Sequence, residues 1–259
     1  MGKLDGKVCI ITGTASGLGK QEAIRFADEG ARLAICSRTV AKLEETKRLC
    51  EEKGAEVLAC PCDVTVAEQR EAFIDAVIER YETIDVLVNN AHTTTPLLPF
   101  LAKTLDELEL ETKCCIYAYF HFMQLCAPHM MDKPGAGTSI INFSSKAARE
   151  GTVGHAVYAT VKAAVGGLTR VTARELGPLN IRVNSIMPGG FTDNCAEGLQ
   201  EQSEEIQKWA EEAFKDNPFE RVGDPYADVT PILLFLASDE SHWMTGQNLH
   251  ADGGAFISD

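Results

Sequence analysis

The sequence predicts an α/β fold, with one doubly wound domain built around a parallel sheet. Short apolar runs alternate with longer amphipathic runs along almost all of the 259 residues. The short runs are apolar nearly without interruption, which is typical of strands covered by helices on both faces of a sheet. No repeat, low-complexity tract or linker breaks this alternation in the sequence. We therefore expect a single domain over residues 1–259.

The individual elements follow from the spacing of the apolar residues. The short runs have the length of strands. They are Val8–Ile11, Arg32–Ile35, Glu56–Ala59, Ile84–Val88, Ser139–Phe143, Arg182–Ile186 and Asn248–Ala251. The longer runs place apolar residues at helical spacing. They include Lys20–Glu29, Val40–Lys53, Ala67–Tyr81, Leu105–Met131, Tyr158–Leu176 and Tyr226–Ala237.

The composition limits the partners that the protein can have. A net charge of −14 disfavours nucleic acid and anionic membrane surfaces, which bind basic patches. The nine cysteines contain no C-x-x-C pair and lie mostly in apolar runs, which indicates a reducing compartment. Neither they nor the histidines have the spacing of metal ligands, and no apolar run approaches the ~18 residues of a membrane span. We expect a cytoplasmic protein with no metal site.

A glycine-rich turn follows the first strand. It reads Thr12-Gly13-Thr14-Ala15-Ser16-Gly17-Leu18-Gly19, and a helix begins within it. Glycines allow a tight turn and let backbone N–H groups approach a pyrophosphate at the start of a helix. Because the turn opens a strand–helix–strand unit, we interpret it as a dinucleotide site. The predicted cofactor contacts here are Gly13, Thr14, Ser16, Gly17, Leu18 and Gly19.

A candidate catalytic group lies in the middle of the chain. Tyr158 and Lys162 are four positions apart in a predicted helix, so both side chains project from one face. A free tyrosine titrates near pH ~10, and a nearby cation favours its phenolate. Ser144-Ser145 follows the strand that ends at Phe143, and a hydroxyl there can hydrogen-bond a substrate oxygen as charge develops on it. A tyrosine and a lysine at this spacing are also common on solvated helices. The glycine turn and the serines elsewhere in the chain are what favour a catalytic role for the pair.

In order and spacing, these motifs resemble the short-chain dehydrogenase/reductase family over essentially the whole chain. The resemblance rests on Thr12–Gly19, Asn89-Asn90-Ala91, Ser145, Tyr158 with Lys162, Pro188-Gly189 and the closing residues 246–254. It implies a Rossmann fold with about seven parallel strands, a small-molecule substrate and a homo-oligomer, either tetramer or dimer.

The resemblance also implies a role for each site residue. Tyr158 is the general acid or base, Lys162 holds the nicotinamide ribose, and Ser145 orients the substrate carbonyl. Asp63 and Val64 flank the adenine. Asn90 lies beside the cofactor ribose or, nearly as well, ties strands together. The nicotinamide carboxamide is bound within Pro188–Phe191, which includes Gly189, with Thr192 as a further contact.

The sequence departs from the family pattern at three positions. His92 stands where a glycine usually follows Asn-Asn-Ala, and it either faces solvent or points into the cleft. Cys115 occupies the place of the family's catalytic Asn, counted back from Pro128, and we favour a buried structural Cys over a reactive thiol. Asp193 replaces the usual nicotinamide-binding Thr, with Thr192 beside it.

The end of the second strand predicts the cofactor. Enzymes specific for NAD place an acidic residue there to bind the ribose 2′-hydroxyl. This chain has Ser37 at that position, and Arg38 follows it. A guanidinium matches a phosphate in charge and geometry, so we expect NADPH as the cofactor, although Arg38 could instead face solvent or stack on adenine.

The substrate side is the least determined part of the sequence. Residues 190–218 are expected to form a lid, since Ile206, Trp209, Ala210, Ala213 and Phe214 make one apolar stripe on an acidic helix. Packing against the body of the protein is the alternative. Tyr117, His155 and Phe191 are further candidate pocket residues. A bulky alicyclic or hydroxysteroid-like alcohol is expected; the alternatives are a 3-oxoacyl thioester and a catalytically silent nucleotide-binding protein.

Overall fold

A parallel sheet of seven strands forms the centre of the protein. The computed structural model describes residues 2–131, 133–135, 137–189, 212 and 215–257. The strands are β1 Val8–Thr12, β2 Arg32–Ser37, β3 Val57–Pro61, β4 Val86–Asn89, β5 Thr138–Phe143, β6 Ile181–Pro188 and β7 Asn248–Ala251. Their order in the sheet is β3-β2-β1-β4-β5-β6-β7, and every neighbouring pair is parallel. The predicted single α/β domain of the Rossmann type is confirmed.

Helices cover both faces of the sheet. They are α1 Gly17–Asp28, α2 Val40–Glu51, α3 Ala67–Tyr81, α4 Leu105–Glu111, α5 Ala118–Met130, α6 Ala147–Glu150, α7 Ala156–Leu176 and α8 Thr230–Ala237. One core joins α1, α2 and α8 to one face of the sheet, and a second joins α3, α5 and α7 to the other. Within β1, Cys9 and Ile11 enter the first core while Val8 and Ile10 enter the second. The nearly continuous apolar strands therefore reflect burial on both faces.

The central helix differs from its prediction. The sequence predicts one helix over Leu105–Met131, whereas the structure has α4, a π-helical segment over Thr112–Tyr117, and then α5. A wider π turn changes which side chains face the sheet from that point on, and such turns are frequent at functional sites. Here the altered segment contains Cys114 and Cys115. A similar π-helical segment, Pro225–Val229, precedes α8, and α6 was not predicted.

The order of the strands sets the position of the cleft. β1 lies between β2 and β4, so the crossovers on its two sides run in opposite directions. At such a switch point the loops after neighbouring strands separate and leave a crevice at their carboxyl ends. The loops that follow β1, β4 and β5 meet at this edge. Within the described ranges, no helix is long and apolar enough to cross a membrane.

A buried carboxyl group interrupts the core beneath α1. Glu22 is fully buried, and neither of its carboxylate oxygens has a hydrogen-bond partner in the described part of the chain. Desolvation raises the pKa of Glu22 well above its ordinary value. The native state therefore retains a proton that the unfolded chain releases as the pH rises, and this difference destabilises the fold at neutral pH.

We expect Glu22→Met to increase the free energy of unfolding at pH 7 by roughly 1–3 kcal/mol, since it removes an unsatisfied buried polar group. Glu22→Gln keeps the shape but cannot ionise. The difference in unfolding free energy between Glu22→Gln and the wild type should grow as the pH rises above the ordinary pKa of a glutamate and shrink as the pH falls below it. Urea unfolding between pH 4 and pH 8 measures both variants. If the unfolding free energies of Glu22→Gln and the wild type change with pH in parallel, the pKa of Glu22 is not raised in the native state.

Candidate active site

A single cleft runs along the carboxyl edge of the sheet. Its walls come from the turn after β1, the residues after β2 and β3, the loop after β4, the segment between β5 and α7, and the end of β6. Side chains separated by more than a hundred positions in sequence meet there because parallel strands end at the same edge. The sequence-predicted site residues can be located along this cleft one group at a time.

The glycine turn is held against the loop after β4. Gly13 has a positive φ of 76°, and a Cβ there would lie 2.7 Å from the Cα of Ala91. Only glycine fits this approach. Of the residues predicted to contact the cofactor here, Gly13, Ser16, Leu18 and Gly19 line the cleft. The two remaining residues, Thr14 and Gly17, are buried and shape the turn from below; neither is among the cleft-lining residues.

Asn90 joins the turn to β4. Its amide Nδ2 donates to the backbone oxygens of Thr12, at 2.8 Å, and Gly13, at 3.1 Å. Its backbone N–H donates to the hydroxyl of Thr12. Of the two interpretations that the sequence left open for Asn90, these contacts favour the tie between strands. The residue still lies on the cleft wall beside the turn.

The predicted catalytic residues come together at the centre of the cleft. Lys162 is buried, with 1% of its surface exposed, and its Nζ donates to the backbone oxygen of Phe143 at 2.8 Å. The same Nζ lies 5.7 Å from the ring centre of Tyr158, which lines the cleft. Ser145 is on the adjoining wall, where its Oγ accepts from the backbone N–H of Ala147. A titratable phenol, a cation and a hydroxyl therefore share one site.

The neighbouring Ser144 has a different function from Ser145. Ser144 is buried, and its hydroxyl donates to the backbone oxygen of Lys162 at 2.9 Å. This hydrogen bond connects the end of β5 to α7 and so fixes the lysine relative to Phe143. The structure thus separates the two serines that the sequence places side by side: Ser144 supports α7, and Ser145 lies on the cleft wall.

Two histidines flank the phenol. The ring centres of His92 and His155 lie 6.4 Å and 5.9 Å from that of Tyr158. Loss of hydration on the protein-facing side of the ring and the positive charge of Lys162 lower the pKa of His92, so its ring is neutral at pH 7. His92 lines the cleft and is also exposed to solvent, so it faces the open part of the cleft. His155 also lines the cleft, whereas Tyr117 is 57% exposed and does not line it.

Cys115 lies under this site and is fully buried. A hydrogen bond from the Cys114 thiol, together with the charge of Lys162, lowers the pKa of Cys115 to about 7. The positive charge of Lys162 is also close to Tyr119, whose ring centre is 5.7 Å from the lysine Nζ. Since Cys115 is closed off from the cleft, its position favours the structural interpretation over a reactive thiol.

Two charged residues that sequence reasoning missed hold the loop after β4. Glu111 is fully buried, and its Oε1 accepts from the backbone N–H and the hydroxyl of Thr95, at 2.8 and 2.7 Å. Lys103 donates to the same hydroxyl at 3.0 Å. These contacts fix the wall of the cleft opposite α7. The sequence does contain one signal for this contact. Glu111 lies among the apolar residues of the central helix, and a buried glutamate needs hydrogen-bond donors such as Thr95.

The end of the cleft at which the adenosine is expected is formed by the residues after β2 and β3. Ser37, Arg38, Asp63 and Val64 all line it. Asp63 is already engaged, because its Oδ1 accepts from the backbone N–H and the hydroxyl of Thr65. Arg38 is exposed, and none of the residues that the structure describes forms a hydrogen bond or ion pair with its guanidinium.

The end of the cleft at which the nicotinamide is expected is described only in part. Pro188 ends β6, and Gly189 donates its backbone N–H to Ala251 at 2.8 Å; both line the cleft. The remaining candidates, Phe191 and Thr192, lie outside the described residues, as does Asp193. So do the apolar residues Ile206, Trp209, Ala210, Ala213 and Phe214 of the expected lid.

The fold and the site together define an α/β oxidoreductase with a dinucleotide cleft. A family model described as enoyl-(acyl carrier protein) reductase matches residues 13–255. The 3-oxoacyl-acyl-carrier-protein reductase of Thermotoga maritima is 35% identical over 98% of this chain and 100% of its own length. The 12alpha-hydroxysteroid dehydrogenase of a Clostridium species is also 35% identical, over 98% of both chains.

A solved structure has a closely similar fold. A 7 alpha-hydroxysteroid dehydrogenase complexed with NADH and 7-oxo glycochenodeoxycholic acid superimposes with a TM-score of 0.87, at 33% identity, and the match covers 97% of this chain and 94% of that one. The chain belongs to the short-chain dehydrogenase/reductase family. Members of this family are oxidoreductases that use nicotinamide cofactors.

We expect Tyr158→Phe to lower kcat by about 10²- to 10⁴-fold while leaving the fold intact, because phenylalanine cannot exchange a proton with the substrate oxygen. Steady-state kinetics and circular dichroism measure the two effects. Tyr117→Phe removes the same hydroxyl from an exposed tyrosine and should leave kcat unchanged. Activity of Tyr158→Phe within a few-fold of wild type would rule out the phenol as the acid or base.

We expect Cys115→Ser to retain kcat within a few-fold of wild type, because hydride transfer needs no nucleophile and the thiol is closed off from the cleft. Cys126→Ser provides the control, since it places a hydroxyl at another buried site in the same central helix. Melting temperatures of both variants separate loss of stability from loss of chemistry. A fall in kcat as large as that of Tyr158→Phe, at equal stability, would give the thiol a direct role.

Proposed function

We propose that this protein transfers a hydride between NADP(H) and a secondary alcohol or ketone. The proposal depends on one observation, the phenol of Tyr158 on the cleft wall with a buried ammonium 5.7 Å from its ring centre. A charge that is removed from water in this way acts strongly on its neighbours. The presence of Ser145 on the same cleft completes the set of groups that carbonyl reduction requires, and it disfavours a catalytically silent nucleotide-binding protein.

The side chains divide the proton chemistry among them. The nicotinamide, when bound, supplies or accepts the hydride. Tyr158 donates a proton to the substrate oxygen in reduction and accepts it in oxidation. Ser145 donates a hydrogen bond to the same oxygen as negative charge develops on it. Lys162 places a positive charge beside the phenol and has N–H donors beyond the one given to Phe143, which would hold the ribose.

The cofactor would extend along the whole carboxyl edge of the sheet. Its pyrophosphate would lie on the turn of Gly13, Ser16, Leu18 and Gly19, and its adenine between Asp63 and Val64. At the ribose of the adenosine, Ser37 supplies no negative charge, and Arg38 offers a guanidinium that no described residue occupies. A 2′-phosphate suits these groups better than a bare 2′-hydroxyl.

The walls of the cleft beyond Tyr158 support a bulky cyclic substrate. Leu97, Pro96 and Leu110 line it together with Thr93 and His155. These apolar and weakly polar surfaces suit a ring system rather than a small polar ketone. The two similar hydroxysteroid dehydrogenases act on steroids by name. We propose an alicyclic or hydroxysteroid-like alcohol, with the segment 190–218 as its lid.

A 3-oxoacyl thioester is the second candidate substrate. The similarity to the Thermotoga maritima reductase favours it. A reductase that docks an acidic carrier protein needs a basic surface, however, and the net charge of −14 disfavours such docking. The protein is proposed to work as a homo-oligomer, tetramer or dimer.

The first prediction of this proposal concerns the cofactor. The wild type should prefer NADPH over NADH by about 10- to 100-fold in kcat/KM, which corresponds to the roughly 1.5–3 kcal/mol of a charge-assisted hydrogen bond to the 2′-phosphate. Ser37→Asp combined with Arg38→Leu should abolish or invert this preference. Arg48→Leu removes an exposed arginine from α2 that does not line the cleft, and it should not alter the ratio. A wild type that prefers NADH would refute the assignment.

The second prediction concerns the substrate. Cyclic ketones such as oxo-steroids should be reduced with a kcat/KM at least tenfold above that of acetoacetyl-CoA. Leu97→Ala should raise KM for the cyclic ketone by about tenfold, because several methylene-sized groups of contact at ~0.8 kcal/mol each are lost. Leu101→Ala is the matched control, since Leu101 is 95% exposed and does not line the cleft. A preference for acetoacetyl-CoA would support the thioester reductase instead.

A further inference from the structure

Three cysteines gather on one face of the sheet at the adenosine end of the cleft. Cys36 in β2 and Cys60 in β3 are register partners across the two parallel strands. Cys62 follows two positions after Cys60, so its side chain projects to the same face. All three belong to the same core beneath α3. Cys36 and Cys62 are buried, at 0% and 2% exposure, whereas Cys60 is partly exposed and lines a small separate cavity.

The surroundings of Cys62 differ from those of the other two thiols. Cys62 lies in the same core as Cys36, and its N–H donates to the oxygen of Ser37, the residue after Cys36. The Cys36 thiol and the charge of the buried Arg70 both act on the Cys62 sulfur. Together these lower the pKa of Cys62. Desolvation raises the pKa of Cys60, although it is the more exposed thiol. A thiol beside a cation and a second thiol is the arrangement of reactive cysteines.

The backbones of Cys36 and Cys62 also hydrogen-bond to residues of the cleft wall. The carbonyl oxygen of Cys36 accepts from the N–H groups of Gly13, at 2.8 Å, and Thr14, at 3.2 Å, in the glycine turn. The N–H of Cys62 donates to the oxygen of Ser37 at 3.0 Å. Cys62 also lines the cleft beside Asp63. A change in the distance between the two sulfurs would therefore be transmitted to the phosphate turn and to the adenosine wall.

We propose that Cys62 is a site of oxidation by hydroperoxides, with Cys36 as the thiol that resolves it to a disulfide, and that this modification releases the dinucleotide. Hydrogen peroxide is close to water in size and can reach Cys62 from the open cleft. A bound dinucleotide would cover that approach. The modification goes beyond the proposed hydride transfer, since it needs neither Tyr158 nor a substrate.

The chemistry proceeds in two balanced steps. The Cys62 thiolate attacks one oxygen of hydrogen peroxide, an S–O bond forms, the O–O bond breaks, and hydroxide leaves to become water on protonation. The sulfur is oxidised by two electrons to a sulfenic acid and the peroxide is reduced. Cys36 then loses its proton and attacks the Cys62 sulfur, an S–S bond forms, and a second hydroxide leaves as water. Two thiols and one peroxide thus give one disulfide and two waters.

Disulfide formation must disturb the wall. The two sulfurs have to approach to the length of a covalent bond, about 2.05 Å. That movement draws the segment after β3 toward β2, where Ser37, Arg38 and Asp63 line the cleft. We expect at least a tenfold weaker binding of NADPH in the oxidised protein, with recovery on reduction by dithiothreitol.

The test treats the full-length protein with hydrogen peroxide, with and without saturating NADPH, and maps thiols by non-reducing peptide mass spectrometry. The expected result is a Cys36–Cys62 linked peptide that NADPH suppresses, together with the loss of NADPH affinity measured by fluorescence titration. In Cys36→Ser, dimedone should trap a sulfenic acid on Cys62. Cys60→Ser is the matched control and should oxidise like the wild type.

Several results would overturn the proposal. Dimedone labelling of the more exposed Cys60 ahead of Cys62, or free thiols at both Cys36 and Cys62 after peroxide treatment, would each do so. If the Cys36–Cys62 disulfide forms and the protein binds NADPH as tightly as before, the proposal that oxidation releases the dinucleotide is wrong. Peptide mapping of the wild type without cofactor needs no variant and no turnover. Formation of the disulfide is therefore tested independently of which cofactor the protein prefers and which substrate it reduces.

Discussion

The buried ammonium of Lys162 is the interaction on which the rest of the site depends. A lysine with 1% exposure has lost almost all of its hydration and must be compensated by the protein. The compensation comes from the backbone oxygen of Phe143 and from the aromatic rings of Tyr119 and Tyr158. Ser144, at the end of β5, fixes α7 through the lysine's own carbonyl. The position of the charge is therefore built into the contact between one strand and one helix, and no flexible loop has to form it.

The same cation acts on two of its titratable neighbours. After desolvation at His92 and the Cys114 hydrogen bond at Cys115, its charge is a further cause of the lowered pKa of His92 on the cleft side and of Cys115 on the core side. The family's Asn would have offered two donors and an acceptor at the place of Cys115, and a thiol cannot do so. In this chain the lysine is anchored mainly by Phe143.

The sequence was sufficient for the fold and for the groups whose chemistry depends on short spacing. Continuous apolar strands predicted a covered parallel sheet, and Tyr158 with Lys162 could be placed on one helix face because a helix has a fixed period. Contacts across the sheet were not accessible in the same way. The Thr95–Glu111 contact joins a loop to the central helix, and the Cys36–Cys62 pair depends on the register of β2 with β3. Neither register nor the π turn at 112–117 has a local sequence signal, because both are decided by packing.

His92, which stands where the family pattern has a glycine, links the contact between β1 and β4 to the surroundings of Tyr158. Asn90 holds Thr12 and Gly13 through its side chain, and its own backbone oxygen lies 3.4 Å from Nδ1 of His92. A neutral ring that directs Nδ1–H toward this oxygen keeps Nε2 as a hydrogen-bond acceptor. The connection between β1 and β4 beneath the glycine turn thus also orients an imidazole beside the phenol of Tyr158. A glycine would leave this edge of the cleft with backbone alone, so His92 adds both a wall and a polar group next to Tyr158.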